Sequence, residues 1–408
     1  MKQKRELPAA GVTKKAEHSI LSGHPWIYDT EVTAPPDCED GSLCDVLSVK
    51  GSYLGSGFYN SHSKIRIRLL SRNANDRFDE AFFERRIRYA WEYRKAVLRE
   101  EDLSCCRIIF GEADSFPGLT VDRFGDILVA QTLSLGIERL KPVLFPLLLK
   151  VLREDGQNVR AVYERNDAAI RNLEGMEQGK GFFKLADEPL PNDTKTEIVE
   201  NGIRYLVDFE NGQKTGFFLD QKYNRLAVSQ IARGKRVLDC FTHTGSFALN
   251  AAKGGAAFVR AVDISEAAVE LARENAVRNG LQDRMAFTAA NVFDLLPALQ
   301  ESGEKYDFVI LDPPAFTKSR KTVDSAYRGY KEINLRAMKM LPRGGYLATC
   351  SCSHFMEETR FMRMLSEAAR DAGVSLRQIE ARQQSPDHPI LWNVPETNYL
   401  KFFLFQVV

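Results

Sequence analysis

The chain has 408 residues, which at about 100 to 200 residues per domain predicts two to four domains. Apolar residues make up 44% and charged residues 27%, an ordinary globular composition that excludes a chain disordered throughout. The net charge of +1 gives no attraction of the whole molecule to nucleic acid or to an anionic membrane. Either partner would have to be held by a local basic patch.

No pattern in the sequence indicates export, membrane insertion or metal binding. The first twenty residues lack the apolar stretch of a secretory signal, and the most apolar run, residues 143–152, is too short to cross a bilayer. The seven cysteines are an odd number without a CxxC pair, and no histidine has the spacing of a zinc site. We therefore expect a cytoplasmic protein with reduced thiols, no metal and no membrane partner.

The N-terminal half is predicted to contain a small β-rich domain followed by a mixed α+β domain, because glycine- and proline-bounded strands give way to a helical period. The predicted elements are strands at 42–49 and 64–70, an amphipathic helix at 76–103, a strand at 127–133, a helix at 138–154 and a strand at 161–164.

The C-terminal half alternates strands and helices regularly. A hairpin is predicted at 196–209, turning at Asn201-Gly202, before this alternation begins. Strands are predicted at 236–241, 258–263, 285–289 and 306–311, with a buried terminal strand at 399–408. Alternation of this kind indicates βαβ units on a doubly wound parallel sheet, an α/β fold.

Ligands of such sheets bind at the carboxyl ends of the strands, so the end of the first strand should form a cofactor pocket. There the chain reads VLDCFTHTGSFALN, where Asp239 ends the strand and Gly245 lets the backbone approach a ligand. A dinucleotide fold would show GxGxxG, of which one glycine is present. A nucleoside without phosphates fits better, and we predict S-adenosylmethionine (SAM).

Polar residues end the next two strands as well. Asp263 would accept hydrogen bonds from the ribose hydroxyls, or else cap the helix that begins near Ser265. Asn291 would face the adenine, and a helix-capping role is equally compatible with its position.

The fourth strand leads directly into Asp312-Pro313-Pro314. Two prolines make the turn stiff and leave its carbonyl groups free to accept from an amino group. Phe316 could stack on a flat base. This segment favours methyl transfer to a planar nitrogenous substrate, although a plain turn at the end of a strand would look the same.

Two cysteines, Cys350 and Cys352, lie at the end of a short predicted strand after Gly344-Gly345. A thiolate that adds to carbon 6 of a pyrimidine would make carbon 5 nucleophilic towards a methyl donor. The alternative is that both are small buried hydrophobic residues.

Taken together, these motifs resemble the bacterial and archaeal SAM-dependent RNA methyltransferases that modify carbon 5 of cytosine in large-subunit ribosomal RNA. The matching stretches are GHPWIYDTEV (23–32), FPGLTVDRFGD (116–126), NGQKTGFFLDQKYNR (211–225), VLDCFTHTGSFALNAA (237–252), LDPPAF (311–316), TCSCSHF (349–355), DHP (387–389) and YLK (399–401). The resemblance implies a PUA-like RNA-binding domain at 1–72, a middle α+β domain at 73–190 and a class I, Rossmann-like methyltransferase domain at 191–408.

The resemblance also implies roles for individual residues. Cys352 would be the nucleophile, with Asp312 in the catalytic group. The SAM-binding residues would be Lys214, Thr215, Asp220, Gln221, Asp239, Phe241, Thr244, Gly245, Asp263, Asn291 and Asp312, and the substrate-binding residues Pro313, Pro314, Phe316, His24 and Trp26. The family often has a lysine after Asp-Pro-Pro, where this chain has Ala315, and Lys318 is the nearest substitute.

A local excess of positive charge is the candidate RNA-binding region. Residues 61–99 contain eleven basic and five acidic side chains, consistent with phosphate binding or with a solvated helix face. One alternative function is RNA N-methylation, for example of a guanine amino group, which needs no cysteine. Another is a non-catalytic RNA-binding ribosome assembly factor, and the oligomeric state stays open between a monomer and a homodimer.

Overall fold

The computed structural model describes residues 6–185, 189–317 and 319–408, and these form two compact units. The first unit holds the described residues up to Ile198, together with Val207–Leu219 and Pro386–Thr397. The second holds Val199–Leu206, Asp220–Ser385 and Asn398–Val408. The predicted domain boundaries at residues 72 and 190 both fall inside the first unit and stay predictions.

The first unit begins with a six-stranded sheet of order β2-β6-β5-β4-β1-β3. A Cβ atom at Gly57 would lie 2.1 Å from the Arg68 carbonyl oxygen, so glycine is what lets β5 and β6 approach each other. The core includes Val12, Ile27 and Ile67. The elements are β1 (Ala9–Val12), α1 (Lys14–Leu21), β2 (Trp26–Tyr28), β3 (Val32–Ala34), β4 (Leu43–Leu47), β5 (Tyr53–Tyr59) and β6 (Ile65–Ser71).

A five-stranded sheet of order β11-β10-β9-β8-β7 follows, with two long helices. The first helix starts at Asp79, whose side chain accepts a hydrogen bond from the Phe82 N–H, so it is shorter than predicted. The elements are α2 (Glu80–Val97), β7 (Cys105–Phe110), β8 (Leu119–Phe124), β9 (Ile127–Thr132), α3 (Leu135–Glu154), β10 (Ala161–Arg165) and β11 (Lys180–Phe182).

The predicted hairpin is confirmed as β12 (Lys195–Glu200) and β13 (Ile203–Asp208). Asn201 and Gly202 have φ values of 53° and 70°, the positive values that a tight two-residue turn requires. The division between the two units falls within this hairpin.

The second unit is built on a seven-stranded sheet of order β16-β15-β14-β17-β18-β20-β19, which confirms the predicted α/β class. Strands β16, β15, β14, β17 and β18 are parallel, and β20 is antiparallel to both of its neighbours. The elements are α4 (Lys222–Ile231), β14 (Arg236–Cys240), α5 (Ser246–Lys253), β15 (Phe258–Asp263), α6 (Glu266–Arg278), β16 (Met285–Ala289), α7 (Val292–Ser302), β17 (Phe308–Leu311), α8 (Val323–Met340), β18 (Tyr346–Ser351), α9 (Glu358–Ala372), β19 (Leu376–Arg382) and β20 (Lys401–Val407).

Helices cover both faces of this sheet. Consecutive residues of a strand point to opposite faces, so neighbouring residues of β20 show what covers each face. On β20, Phe402 stacks on Phe247 of α5 at 6.5 Å, whereas Phe403 packs on Phe361 of α9 at 6.1 Å. The central parallel strands β14, β17 and β18 are buried on both sides. In such sheets the carboxyl ends of the strands form the edge where ligands bind. In the part of the chain described here, no helix is long and apolar enough to span a membrane.

Candidate functional site

The loop between β14 and α5 adopts a strained backbone. Phe241, His243 and Gly245 have φ values of 65°, 52° and 85°, in the left-handed region that costs a non-glycine residue about 1 to 3 kcal/mol. Gly245 also makes room for helix α6, since a Cβ atom there would lie 2.9 Å from the Cβ of Ala272. Strain of this kind persists where the surroundings hold it, and it is concentrated at ligand sites.

Asp239 holds this loop and keeps one oxygen available. Its Oδ2 accepts from the Thr242 hydroxyl at 2.6 Å and from the Ala248 N–H at 2.9 Å. Its Oδ1 and the Thr244 hydroxyl are buried and have no hydrogen-bond partner among the described residues. Because buried polar atoms without partners are costly, both fit a polar ligand in the loop.

Asp263, at the end of β15, orients the same loop. Its Oδ2 accepts from the His243 N–H at 2.9 Å and its Oδ1 from the Ser265 N–H at 3.0 Å. The helix cap itself is Ser265, whose hydroxyl oxygen accepts from the Ala268 N–H. Each carboxylate oxygen has a second lone pair, so Asp263 can still accept from a ribose.

We expect Asp263→Ala to weaken SAM binding by about 1.5 to 3 kcal/mol, the usual loss for hydrogen bonds to a charged group. Isothermal titration calorimetry measures this directly. Ser265→Ala is the matched control, because it removes the α6 cap and leaves the carboxylate in place. Wild-type affinity in Asp263→Ala would refute the ribose assignment.

Carboxylates from three strand ends and one loop lie close enough at this edge for their charges to act on one another. Burial raises the pKa of Asp239 to about 8, and the nearby charges of Asp312 and Asp263 act in the same direction. Asp312 accepts from the Gln221 amide at 3.0 Å. Burial raises its pKa to about 7, and the charge of Asp220 adds to the effect. The raised pKa values show that negative charge at this edge is unfavourable without a positive partner, so a cationic ligand is favoured there.

Other predicted residues make contacts that the sequence did not reveal. Asn291 caps α7 by accepting from the Phe293 N–H at 3.1 Å, which is the alternative role considered for it. Phe316 packs on Tyr330 with ring centres 4.5 Å apart and lies 6.4 Å from Phe241, within an aromatic cluster. Lys318 lies outside the described residues.

Lys214 and Thr215 belong to the first unit. The Thr215 hydroxyl donates to buried Asp122 at 2.6 Å, and the Lys214 ammonium lies 5.0 Å from the Phe218 ring centre. These are the contacts that the structure gives them, and their predicted role towards SAM stays a prediction.

His24 and Trp26 also lie in the first unit, in contact with other side chains. The Trp26 indole N–H donates to Glu112 at 2.8 Å. The His24 ring lies edge-on to Trp26, and its Nε2 is 3.3 Å from Glu396. Trp26 is thus held by partners of its own chain, and RNA contact by either residue stays a prediction.

The two cysteines at the end of β18 differ in depth. Cys350 is fully buried, and burial raises the pKa of its thiol well above the ordinary value. Cys352 lies just beyond the strand, is partly exposed, and has its Sγ atom 3.9 Å from the Pro313 carbonyl oxygen. The structure therefore brings Cys352 beside the Asp-Pro-Pro segment.

A group of residues around Cys352 was missed in the sequence. The Tyr330 hydroxyl lies 2.9 Å from the Ser353 hydroxyl. Lys401, on β20 opposite Ser351, is buried and donates to the carbonyl oxygens of Ser353 and Tyr399, both at 2.8 Å. Burial lowers the pKa of Lys401 to about 8, while the nearby Cys352 acts in the opposite direction. The sequence signal that could have revealed Lys401 is a lysine at the start of a mostly apolar terminal strand.

Comparison with known proteins identifies two family matches. The model for S-adenosylmethionine-dependent methyltransferases matches residues 182–406, and that for PUA-like domains matches residues 11–72. A Klebsiella pneumoniae (strain 342) protein named Ribosomal RNA large subunit methyltransferase I is 38% identical over 405 residues, covering 98% of both chains. The Aeromonas salmonicida (strain A449) protein of the same name is 39% identical over 395 residues, covering 96% of this chain and 97% of that one.

Among solved structures, a candidate SAM-dependent methyltransferase from Streptococcus mutans aligns with a TM-score of 0.81. The alignment covers 98% of this chain and 100% of the other at 21% identity. At that identity the similarity establishes the fold.

Proposed function

The chain belongs to the S-adenosylmethionine-dependent methyltransferase family, among the large-subunit ribosomal RNA methyltransferase I proteins, and we propose that it methylates carbon 5 of a cytosine in that RNA. The observation that carries this proposal is the position of Cys352, a partly exposed thiol beside the Pro313 carbonyl at the ligand edge of the sheet.

SAM is the cofactor of this family, and the pocket in the second unit fits it. SAM carries a sulfonium and an ammonium group, so it is cationic where this pocket collects carboxylates. We assign Asp239 and Thr244, with their unpartnered oxygens, to the cofactor, together with Asp263, Gln221 and Asp312. When bound there, SAM supplies an electrophilic methyl group.

The Asp-Pro-Pro turn is assigned to the target base. Pro313 and Pro314 have no N–H, so the turn offers acceptors to the amino group of a cytosine. Pro314 is exposed whereas Pro313 is buried, which leaves one side of the turn open to a substrate. Because the pKa of Asp312 is about 7, its carboxyl can be neutral or ionised under working conditions.

Cys352 is assigned as the nucleophile, and Lys401 supports its ionisation. A free cysteine has a pKa of about 8.5, so a catalytic thiolate needs a nearby positive charge. Lys401 donates to two carbonyl oxygens and forms no ion pair with a carboxylate among the described residues. A thiolate at Cys352 would supply the negative charge that this buried ammonium lacks.

Cys352 acts by forming and then breaking a bond to the base. The Cys352 sulfur bonds to carbon 6 of cytosine, and the electron pair of the 5,6 double bond makes carbon 5 nucleophilic. After carbon 5 is methylated, a base takes its proton, the electron pair of that C–H bond re-forms the 5,6 double bond, and the bond between carbon 6 and sulfur breaks. Cys352 is thereby regenerated as a thiolate.

Ribosomal RNA that contains 5-fluorocytosine tests this proposal. Fluorine replaces the proton that must leave before the thiol can, so the wild-type protein should form a stable covalent complex with the RNA in the presence of SAM. Denaturing gel electrophoresis would detect it, and tryptic mass spectrometry should place the bond on Cys352. The same RNA without SAM is the control. Methylation of RNA at a guanine amino group, with no adduct, would overturn the proposal.

A further inference from the structure

Two adjoining clefts in the first unit form one groove along helix α2, here called the α2 groove. The larger has a volume of about 450 Å³ and is lined by Arg85, Arg86, Tyr89 and Tyr93. The smaller, of about 270 Å³, is lined by residues that include His24 and Arg72, and both clefts share Arg86 and Ser115. Volumes of this size suit one or two nucleotides.

We propose that the α2 groove binds a single-stranded segment of the substrate RNA, with its arginines on phosphates and its tyrosines on bases. This inference rests on the proposed function, because it assumes that the substrate is RNA. It does not depend on which atom is methylated.

The carboxylates that line the groove are already engaged with other groups. Glu112 accepts from the Trp26 indole at 2.8 Å, and Asp114 is held by two hydrogen bonds from buried Arg94, at 2.5 and 2.7 Å. Asp76 accepts from the Ser71 hydroxyl at 2.6 Å and lies 3.8 Å from Arg85. Each carboxylate is paired with an arginine: Asp114 with Arg94, Glu112 with Arg68 at 3.4 Å and Asp76 with Arg85. Among the described residues, Arg72 and Arg86 form no ion pair, so their positive charges remain in the groove.

Arg72 and Arg86 are positioned by neutral partners. Arg86 donates to the Ser115 carbonyl at 3.0 Å, and its guanidinium lies 4.3 Å from the Phe82 ring centre. Arg72 donates to the Ile20 carbonyl at 2.9 Å. Carbonyl and ring contacts fix these guanidinium groups without neutralising them, which suits a polyanion such as an RNA backbone.

Two exposed tyrosines complete the groove. Tyr89 is 64% exposed and Tyr93 37% exposed, one helical turn apart on the same face as Arg85. The Tyr93 hydroxyl donates to the Pro386 carbonyl at 3.2 Å, which anchors that ring. Aromatic faces beside fixed positive charges are the arrangement by which proteins hold unpaired bases and their phosphates.

Arg88 shows that basic residues on this helix are not equivalent. It pairs with Glu84 and Glu154 and does not line either cleft. Only some of the basic residues in the segment at 61–99 therefore line the α2 groove. Arg88 provides a control of the same charge on the same helix.

The test is the salt dependence of binding to a fluorescein-labelled single-stranded RNA of mixed sequence, measured by anisotropy on the full chain without SAM. For the variant Arg85→Gln with Arg86→Gln, the slope of log affinity against log salt should fall by about 0.7 for each lost phosphate contact. Arg88→Gln should leave the slope unchanged. Tyr89→Leu should keep the slope and lower affinity about 5-fold or more, as expected for a lost base stack.

The single variant Arg85→Gln, at a half-exposed site, is tested as well in case the double variant does not fold. Thermal unfolding of each variant measures whether it is folded. If the arginine variants keep the slope of Arg88→Gln, the proposal is overturned, and the groove is then solvated or binds a protein. If no fluorocytosine adduct forms while these differences in RNA binding persist, the proposed carbon-5 chemistry is wrong and the assignment of the α2 groove to RNA is kept.

Discussion

Cys352→Ala should lose methylation by a factor of at least about 1,000, as removal of a covalent nucleophile does in other enzymes. SAM affinity and the melting temperature should stay close to wild type, since Cys352 lies beyond the end of β18 and is partly exposed. The measurement is methyl incorporation from radiolabelled SAM into unmodified ribosomal RNA, with 5-methylcytosine identified by mass spectrometry of nucleosides.

Cys350→Ala is the matched control, two residues earlier and inside β18. Cys350 is fully buried, so its truncation should lower the free energy of unfolding by about 1 kcal/mol through lost packing. It should keep much of the methylation rate. Turnover of Cys352→Ala close to wild type would contradict the covalent mechanism and favour N-methylation, whereas a protein that binds RNA but not SAM would be an assembly factor.

The sequence predicted the strand ends well because of how parallel strands are buried. Both faces of β14 and β17 are covered, so each has an apolar run that stops at an aspartate. Strand β15 contains Arg260 but likewise ends at an aspartate. The sequence therefore predicts that Asp239, Asp263 and Asp312 lie at one edge of the sheet. The edge strand β19 was missed, because Leu376–Arg382 is largely exposed and lacks an apolar run.

Side-chain partners were less predictable than strand ends. Asn291 follows β16, which ends at Ala289, and it caps α7. Asp263 is the last residue of β15, and the sequence around the two residues does not show that their roles differ. Lys401 reaches Ser353 only because β20 pairs with β18 across 48 residues of chain. Long-range pairing of that kind leaves no periodic signal near either residue.

The raised pKa values at the cofactor edge predict that SAM binding releases protons near pH 6.5. In the cofactor-free protein Asp239, with a pKa of about 8, and Asp312, with a pKa of about 7, hold protons there. A cation bound beside them favours their ionised forms and lowers both pKa values. At that pH the SAM amino group is already protonated, so it takes up few protons to offset the release.

Calorimetric titrations at pH 6.5 in two buffers of different ionisation enthalpy would count the protons. We expect net release, and a smaller release from Asp239→Asn, which removes one of the two groups. Zero release, or net uptake, would contradict the assignment of a cation to this pocket. SAM affinity should accordingly rise with pH until both carboxyls are ionised.

The same two raised pKa values make the cofactor-free protein less stable as the pH rises. An unfolded aspartate ionises near pH 3.9, so between about pH 4 and 8 the folded state holds protons that the unfolded state has lost. Stability must then fall as pH rises through that window, by at most about 1.4 kcal/mol per pH unit for each group. Urea unfolding at pH 6 and 8 should show this decline, and it should be smaller in Asp239→Asn. Saturating SAM should offset it, because the ligand stabilises the ionised pocket that the empty protein disfavours.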